Sequence, residues 1–213
     1  MKRFIFRSTA TIIGVGCFCC FLRAEGKESV KPRVSGAGIS YASDADQAGL
    51  EDLVNSIRSR RPDGKLLNLD RMLLNSPAFA RGWNEMIGTV RGRLALSPKL
   101  RELAIMAVGI LNGADYECVQ HRPDFLSAGG TVEQLAALAD ITTACRNATL
   151  FDESERATLM LAYEMTHDIK VSKETIARLR AVMPDRQVVE LVGTVASYNM
   201  VSRFLVALGI QLE

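Results

Sequence analysis

Residues 97–130, SPKLRELAIMAVGILNGADYECVQHRPDFLSAGG, read as two helices folded about one break. Pro98 suits the first helical position, where a missing N–H costs no hydrogen bond, and Ser97 before it is an N-cap residue. Leu100, Leu103, Ala104, Ala107, Val108 and Leu111 recur at helical spacing and give one apolar face. Asn112-Gly113 stops that helix. Asp115 is expected to cap a second one, which carries Glu117 and His121 one turn apart on the same face. Glu102 lies among apolar neighbours in the first helix. If the hairpin closes, Glu102 comes beside Glu117 and His121. Two carboxylates and an imidazole in apolar surroundings make an acid–base site. A buried Glu–His pair that only pins two helices together is the structural alternative.

Outward from this stretch the pattern stays helical. Leu50, Leu53, Val54 and Ile57 make a short amphipathic helix ended by Arg58-Ser59-Arg60-Arg61-Pro62-Asp63-Gly64. Its arginines read as a solvated helix end, where positive charge suits the dipole, in preference to a binding site. Asn68 is expected to cap a brief helix. Ser76-Pro77 starts another, with Phe79, Trp83, Met86, Ile87 and Val90 inward; for a lone Trp at helical spacing, core is the default over a pocket wall. Downstream, Thr131-x-x-Gln134 is a capping box, and Asp152-x-x-Glu155 opens the next helix. Ser172 caps a short helix, and Asp185 is placed as the cap of a long apolar one ending near Gly209. No segment reads as a strand, so the fold class is all-α, an orthogonal helical bundle. Several faces are apolar nearly all round, which points to burial against other subunits.

The chain has 213 residues, 48% hydrophobic and 23% charged, enough for one domain with a substantial core. Lys2, Arg3, Arg7 and Arg23 give residues 1–24 a purely basic character around the uncharged run Ser8–Leu22, and the segment reads as a cleaved secretory signal. An uncleaved membrane anchor, a lipoprotein signal at Cys17 and a cytoplasmic protein with a mis-assigned start are the alternatives. Residues 25–47 read as a flexible linker and 48–213 as the helical domain. Without the first 24 residues there are 22 basic and 24 acidic residues and no basic patch interleaved with aromatics, so nucleic acid is not an expected partner. Cys17, Cys19 and Cys20 fall in the signal. Cys118 and Cys145 remain, either as a disulfide or as two buried thiols.

The pattern RELAI…NG…YE…H, followed by a helix ending in AGG, resembles the carboxymuconolactone decarboxylase family, which includes alkylhydroperoxidase D-like proteins. The lead-in LLNLDRMLLNSPAFARGWNEMIGTVRGRLALSPKLREL and the closing DESERATLMLAYEMTHDIKVSKETIARL and ELVGTVASYNMVSRFLVALGI carry the resemblance from about Leu66 to Glu213. It implies a bundle of the alkylhydroperoxidase D-like type and a homo-oligomer, a trimer or hexamer. Peroxidase members carry Cys-x-x-Cys at the start of the second helix, a Glu in the helix before and a His four residues after the second Cys. Here Glu102 and His121 stand at the Glu and His positions, but Ala114 and Glu117 replace the cysteines. Cys118 is one place out of register, which turns its side chain by about 100°, and without a resolving thiol the dithiol cycle cannot run within the motif. A redox role for Cys118 is therefore disfavoured.

The Ala-x-x-Glu-x-x-x-His arrangement looks like the decarboxylase branch, and the resemblance implies a small carboxylate or lactone as substrate. His121 is the expected proton donor, Glu117 its orienting neighbour and Glu102 a second acid/base. Tyr198, Asn199 and Arg203 make a polar break in the last helix and are candidates for substrate binding. Arg203 could receive a carboxylate or pair with Glu102 or Glu190. Arg101 and Arg156 are weaker candidates, and His167 reads as a surface residue. With two histidines and no clustered Cys/His spacing there is no metal motif, and no glycine-rich phosphate loop or Gly-x-Ser-x-Gly elbow, so no cofactor is inferred. Besides a cofactor-free decarboxylase, the chain could be an alkylhydroperoxidase-type peroxidase or a non-catalytic binding module on the same fold.

Overall fold

Gly113 sets the geometry of the central hairpin. It has a φ of 63°, in the left-handed region that glycine adopts without the clash of a Cβ. The N–H of Ala114 then reaches back to the carbonyl of Gly109 at 2.8 Å, closing a Schellman turn that ends one helix and aims the next. In the computed structural model, which describes residues 35–61 and 63–213, these helices are α4 (Pro98–Leu111) and α5 (Asp115–Ser127). They lie so close that a Cβ added at Gly109 would meet Cys118 Sγ at 3.2 Å and Glu117 Cβ at 3.4 Å.

Around them stand α1 (Glu51–Arg58), α2 (Asn68–Leu73), α3 (Pro77–Gly92), α6 (Val132–Ala137), α7 (Ile141–Ala144), α8 (Glu153–His167), α9 (Lys173–Val182) and α10 (Asp185–Leu208). No β-strand occurs among the described residues, and the architecture is an all-α bundle. The middle of it is α4, packed between α5, α8 and α10. Its residues Leu103, Ala104, Ile105, Ala107 and Val108 are wholly buried, as are Leu159, Leu161, Leu191 and Val195 on the facing helices. Among the described residues α10 is the helix long and apolar enough to cross a membrane; its apolar length is also what packing against α3, α4, α8 and α9 requires.

Several helix starts follow their capping residues. Thr131 Oγ1 accepts the N–H of Gln134 and Gln134 Oε1 accepts that of Thr131, both at 3.2 Å. Asp152 and Glu155 make the same reciprocal pair at 2.8 and 2.9 Å, and Ser172 accepts from Thr175 N–H at 3.1 Å. Three starts differ from expectation by one residue. Ala114, Leu67 and Pro184 occupy the cap positions, and Asp115, Asn68 and Asp185 are the first helical residues. An acid in the first turn still suits the positive end of the helix dipole. At α2 the cap bond comes from Asp70, which accepts the N–H of Leu67 at 2.9 Å. Helix α7 has no counterpart in the periodicity because it is four residues long; Asp140 caps it by accepting Thr143 N–H at 3.1 Å.

Residues 35–47, expected as part of a linker, are docked. Gly36 and Ala37 donate to the carbonyls of Gly209 and Leu208 at 2.9 and 3.2 Å, and Ala42 is buried. Their polar composition hid this, because main-chain groups make most of the contacts. The proposed signal, its cysteines and residues 25–34 lie outside the described residues.

Candidate active site

Helix α4 carries Glu102 into the interior and α5 brings two side chains to meet it. Glu102, Glu117 and His121 are 2%, 3% and 3% exposed, so charge on any of them must be answered by another protein group. His121 Nδ1–H donates to Glu102 Oε2 at 2.7 Å. The other carboxylate oxygen, Oε1, accepts from Arg101 Nε at 3.0 Å. On the far edge of the ring, His121 Nε2 lies 3.2 Å from Glu117 Oε2 and 3.3 Å from the Tyr198 hydroxyl. Glu117 Oε2 is out of line for a hydrogen bond and has no other partner among the described residues. The Tyr198 ring stands edge-on to the imidazole, centroids 5.1 Å apart and planes at 88°. Glu102 thus fixes the ring and its tautomer, and Nε2 is the working edge.

That edge opens on a cavity of about 300 Å³. Trp83, Ile87 and Val201 give it an apolar wall, with Glu117, His121 and Tyr198 along one side. Arg60, Arg61 and Arg91 converge on it from the end of α1 and from α3. Arg61 is spent on Asp70, with Nε and Nη2 at 2.9 and 2.6 Å from its two oxygens. Arg91 Nη2 donates to Asp124 Oδ2 at 2.7 Å.

Burial opposes protonation of His121, but the hydrogen bond to Glu102 and the negative charges of Glu117 and Glu102 beside the ring outweigh it and raise the imidazole pKa above its ordinary 6.5. Burial likewise opposes ionisation of Glu102, and the bonds from His121 and Arg101 still draw its pKa below the usual 4.5. Burial pushes the Tyr198 phenol far up, so it stays neutral. These shifts fix a pH dependence of stability. The His121 contribution is whole below about pH 6.5 and is lost as pH rises through its raised folded value. The Glu102 contribution is whole above about pH 4.5 and is lost as pH falls through its lowered one. Urea midpoints measured across pH should therefore peak between about 4.5 and 6.5, and His121→Gln should flatten the alkaline decline. A midpoint that keeps rising above pH 7 in the parent chain would contradict a protonated His121.

The other residues named from the sequence are distributed as follows. Tyr198 is in the site. Arg101 touches it only through Glu102. Asn199 and Arg203, one place and five along from Tyr198 on α10, lie outside the cavity. Arg203 Nη1 donates to Asn199 Oδ1 at 2.6 Å, and Asn199 also joins Asn112 and Thr166. A step of about 100° per residue carries Asn199 off the face of Tyr198. Arg156 is held by Glu153 and by the carbonyl of Phe151, at 2.5 and 2.7 Å. His167 is exposed beside Asp168. Trp83 is buried and is also a cavity wall. Cys118 and Cys145 are buried, are not joined by a disulfide, and neither lines the cavity; burial pushes the Cys145 thiol up to about 11. Glu102, His121 and Asp124 bring one ligand atom each within 4.8 Å of one another, a spacing a metal could use. His121 and Glu102 are already bonded to each other and Asp124 to Arg91, so no metal is assigned there.

Residues 77–158 match the model of the carboxymuconolactone decarboxylase family. No functionally curated protein matches the sequence. Among solved structures, the chain is similar to a cysteine-to-alanine variant of the debrominase Bmp8 in complex with 2,3,4-tribromopyrrole, with 16% identity, a TM-score of 0.68, and coverage of 87% of this chain and 94% of that one. An uncharacterised peroxidase-related protein from Silicibacter sp. TM1040 gives 18% identity and a TM-score of 0.63, over 89% and 95% of the two chains. A protein of unknown function from Agrobacterium tumefaciens, described as a putative antioxidant defence protein AhpD, gives 18% and 0.60, over 67% and 95%. At these identities the likeness is one of fold.

Proposed function

We propose, for a chain that belongs to the carboxymuconolactone decarboxylase family, that this cavity performs cofactor-free acid–base decarboxylation of a small cyclic carboxylate or lactone. The observation that carries the reading is His121, clamped through Nδ1 by Glu102 and presenting Nε2, beside Glu117, to the cavity. In the step envisaged, the bond between ring carbon and carboxylate breaks and CO₂ leaves. The electron pair stays on the ring as an enolate conjugated with a carbonyl. The raised pKa of His121 favours the imidazolium, the form able to return a proton from Nε2 to carbon. Glu102 steadies that cation, and the cycle closes when solvent reprotonates the imidazole. The neutral Tyr198 hydroxyl beside Nε2 can donate to the enolate oxygen. The debrominase complex adds that a related fold accommodates a flat five-membered ring.

Thiol peroxidase chemistry has less support, since neither Cys118 nor Cys145 borders the cavity. Exposed Val189 and Val206 on α10 support assembly into a homo-oligomer, and the basic, apolar N-terminal segment supports export. The test is turnover in D₂O on a panel of ring lactone carboxylates. The expected result is CO₂ release with one deuterium placed on the carbon that loses it. Saturable binding without CO₂ release across the panel would overturn the catalytic reading and leave a binding module.

A further inference from the structure

The cavity holds a guanidinium that the protein positions but, among the described residues, does not join to a carboxylate in an ion pair. Arg60 follows α1 and lays its stem across α3 at Gly88, where an added Cβ would meet Arg60 Cδ at 3.3 Å. One turn earlier on α3, Asn84 Oδ1 accepts from Arg60 Nε at 2.7 Å, and Asn84 is itself oriented by donating through Nδ2 to Ser56 Oγ at 2.9 Å. Arg60 forms no ion pair among the described residues, and its only side-chain hydrogen bond there is the one through Nε. Its neighbours Arg61 and Arg91 each have a carboxylate. Burial, with Arg61 and Arg91 close by, outweighs the pull of Asp70, whose two oxygens are taken by Arg61, and holds the Arg60 pKa below the ordinary guanidinium range. A half-buried cation of this kind gains from an incoming anion, and the planar fork fits both oxygens of a carboxylate. The apolar wall of Trp83, Ile87 and Val201 leaves room behind that carboxylate for a ring.

We infer that Arg60 is the anion-recognition residue of this site, binding a carboxylate carried on a small planar ring whose body lies against Trp83. This rests on the proposed function for the cavity but not on its chemistry, since binding is read without turnover. The chain has a single tryptophan, so its fluorescence reports occupancy of this cavity. The probes are 2-furoate, the neutral 2-furamide and inorganic phosphate, titrated into the full-length protein with calorimetry in parallel. Furoate should change Trp83 fluorescence saturably, with furamide and phosphate at least tenfold weaker. Arg60→Met should weaken furoate by about 10- to 100-fold, the range expected for a charge-assisted pair, and Arg60→Lys by less. Gly88→Ala, which keeps the charge but crowds the stem, should weaken it several-fold and serves if Arg60→Met does not fold. Equal binding of furoate and furamide, no binding of furoate, or undiminished furoate binding in Arg60→Met would overturn the assignment. Furoate binding that needs Arg60 in a protein that releases no CO₂ would retain it and remove the decarboxylase reading alone.

Discussion

Replacing Glu102 by alanine is expected to cost about 3 kcal/mol or more of folding stability, read as a lowered urea midpoint near pH 6. Both carboxylate oxygens are engaged, one by His121 at 2.7 Å and the other by Arg101 at 3.0 Å. The variant leaves a buried imidazolium with only the poorly aligned Glu117 and strands the Arg101 guanidinium. Breaking one partner of a buried pair costs more than the pair contributes net, because the remaining charge has lost the water it would have had in the unfolded chain. The cavity left by the missing side chain adds to the loss. Two companions separate these terms. Glu102→Gln keeps the volume and an acceptor for Nδ1–H, so it should cost less than alanine. His121→Ala on top of Glu102→Ala should cost much less than the sum of the two single changes, because each single variant already breaks the same contact. A Glu102→Ala penalty under about 1 kcal/mol would mean the three groups do not form the coupled, charged cluster their distances indicate.

The part of the site that lies within one hairpin was legible in the sequence. The spacing of Glu117 and His121 sets them on one face, Asn112-Gly113 sets the return, and Glu102 is the one acid of α4, followed by an apolar run to Leu111. These relations run over about twenty residues of chain and obey helical periodicity, so the pattern contains them. The arginines did not announce themselves. Arg60 and Arg61 sit in a basic run after a helix, where a solvated end is the ordinary outcome, and their burial depends on α2 and α3 folding over them. A signal was present in Asn84 and Gly88, one turn apart on α3, but its meaning depends on a stem arriving from α1. Arg203 was the arginine the sequence favoured, and the structure gives it to Asn199 instead. Periodicity locates a residue on its own helix. It says little about which of two neighbouring faces will meet a cavity built by other helices, and Tyr198 and Asn199 differ in that respect alone.

Changing His121 to glutamine should lower kcat/KM for CO₂ release by about 10²- to 10⁴-fold, the range for loss of a positioned general acid. Glutamine fills much of the same volume and can hydrogen-bond Glu102, so the cavity wall and the Arg60 end should survive. The loss should then fall on kcat, with furoate binding little changed. The pH profile gives the stronger discrimination. If the imidazolium delivers the proton, kcat/KM of the parent chain falls as pH rises through the raised pKa of His121, and the residual rate of His121→Gln lacks that limb. If the neutral ring instead acts as a base, the rate rises over the same range, and the proton-donor role assigned to Nε2 is wrong. Cys118→Ser is the internal control. Its side chain lies against Gly109 on the hairpin seam and outside the cavity, so it should leave the profile unchanged. Activity that disappears with Cys118 while surviving the loss of His121 would transfer the chemistry from the imidazole to the thiol. That result would require the hairpin to open enough to bring Sγ to the substrate.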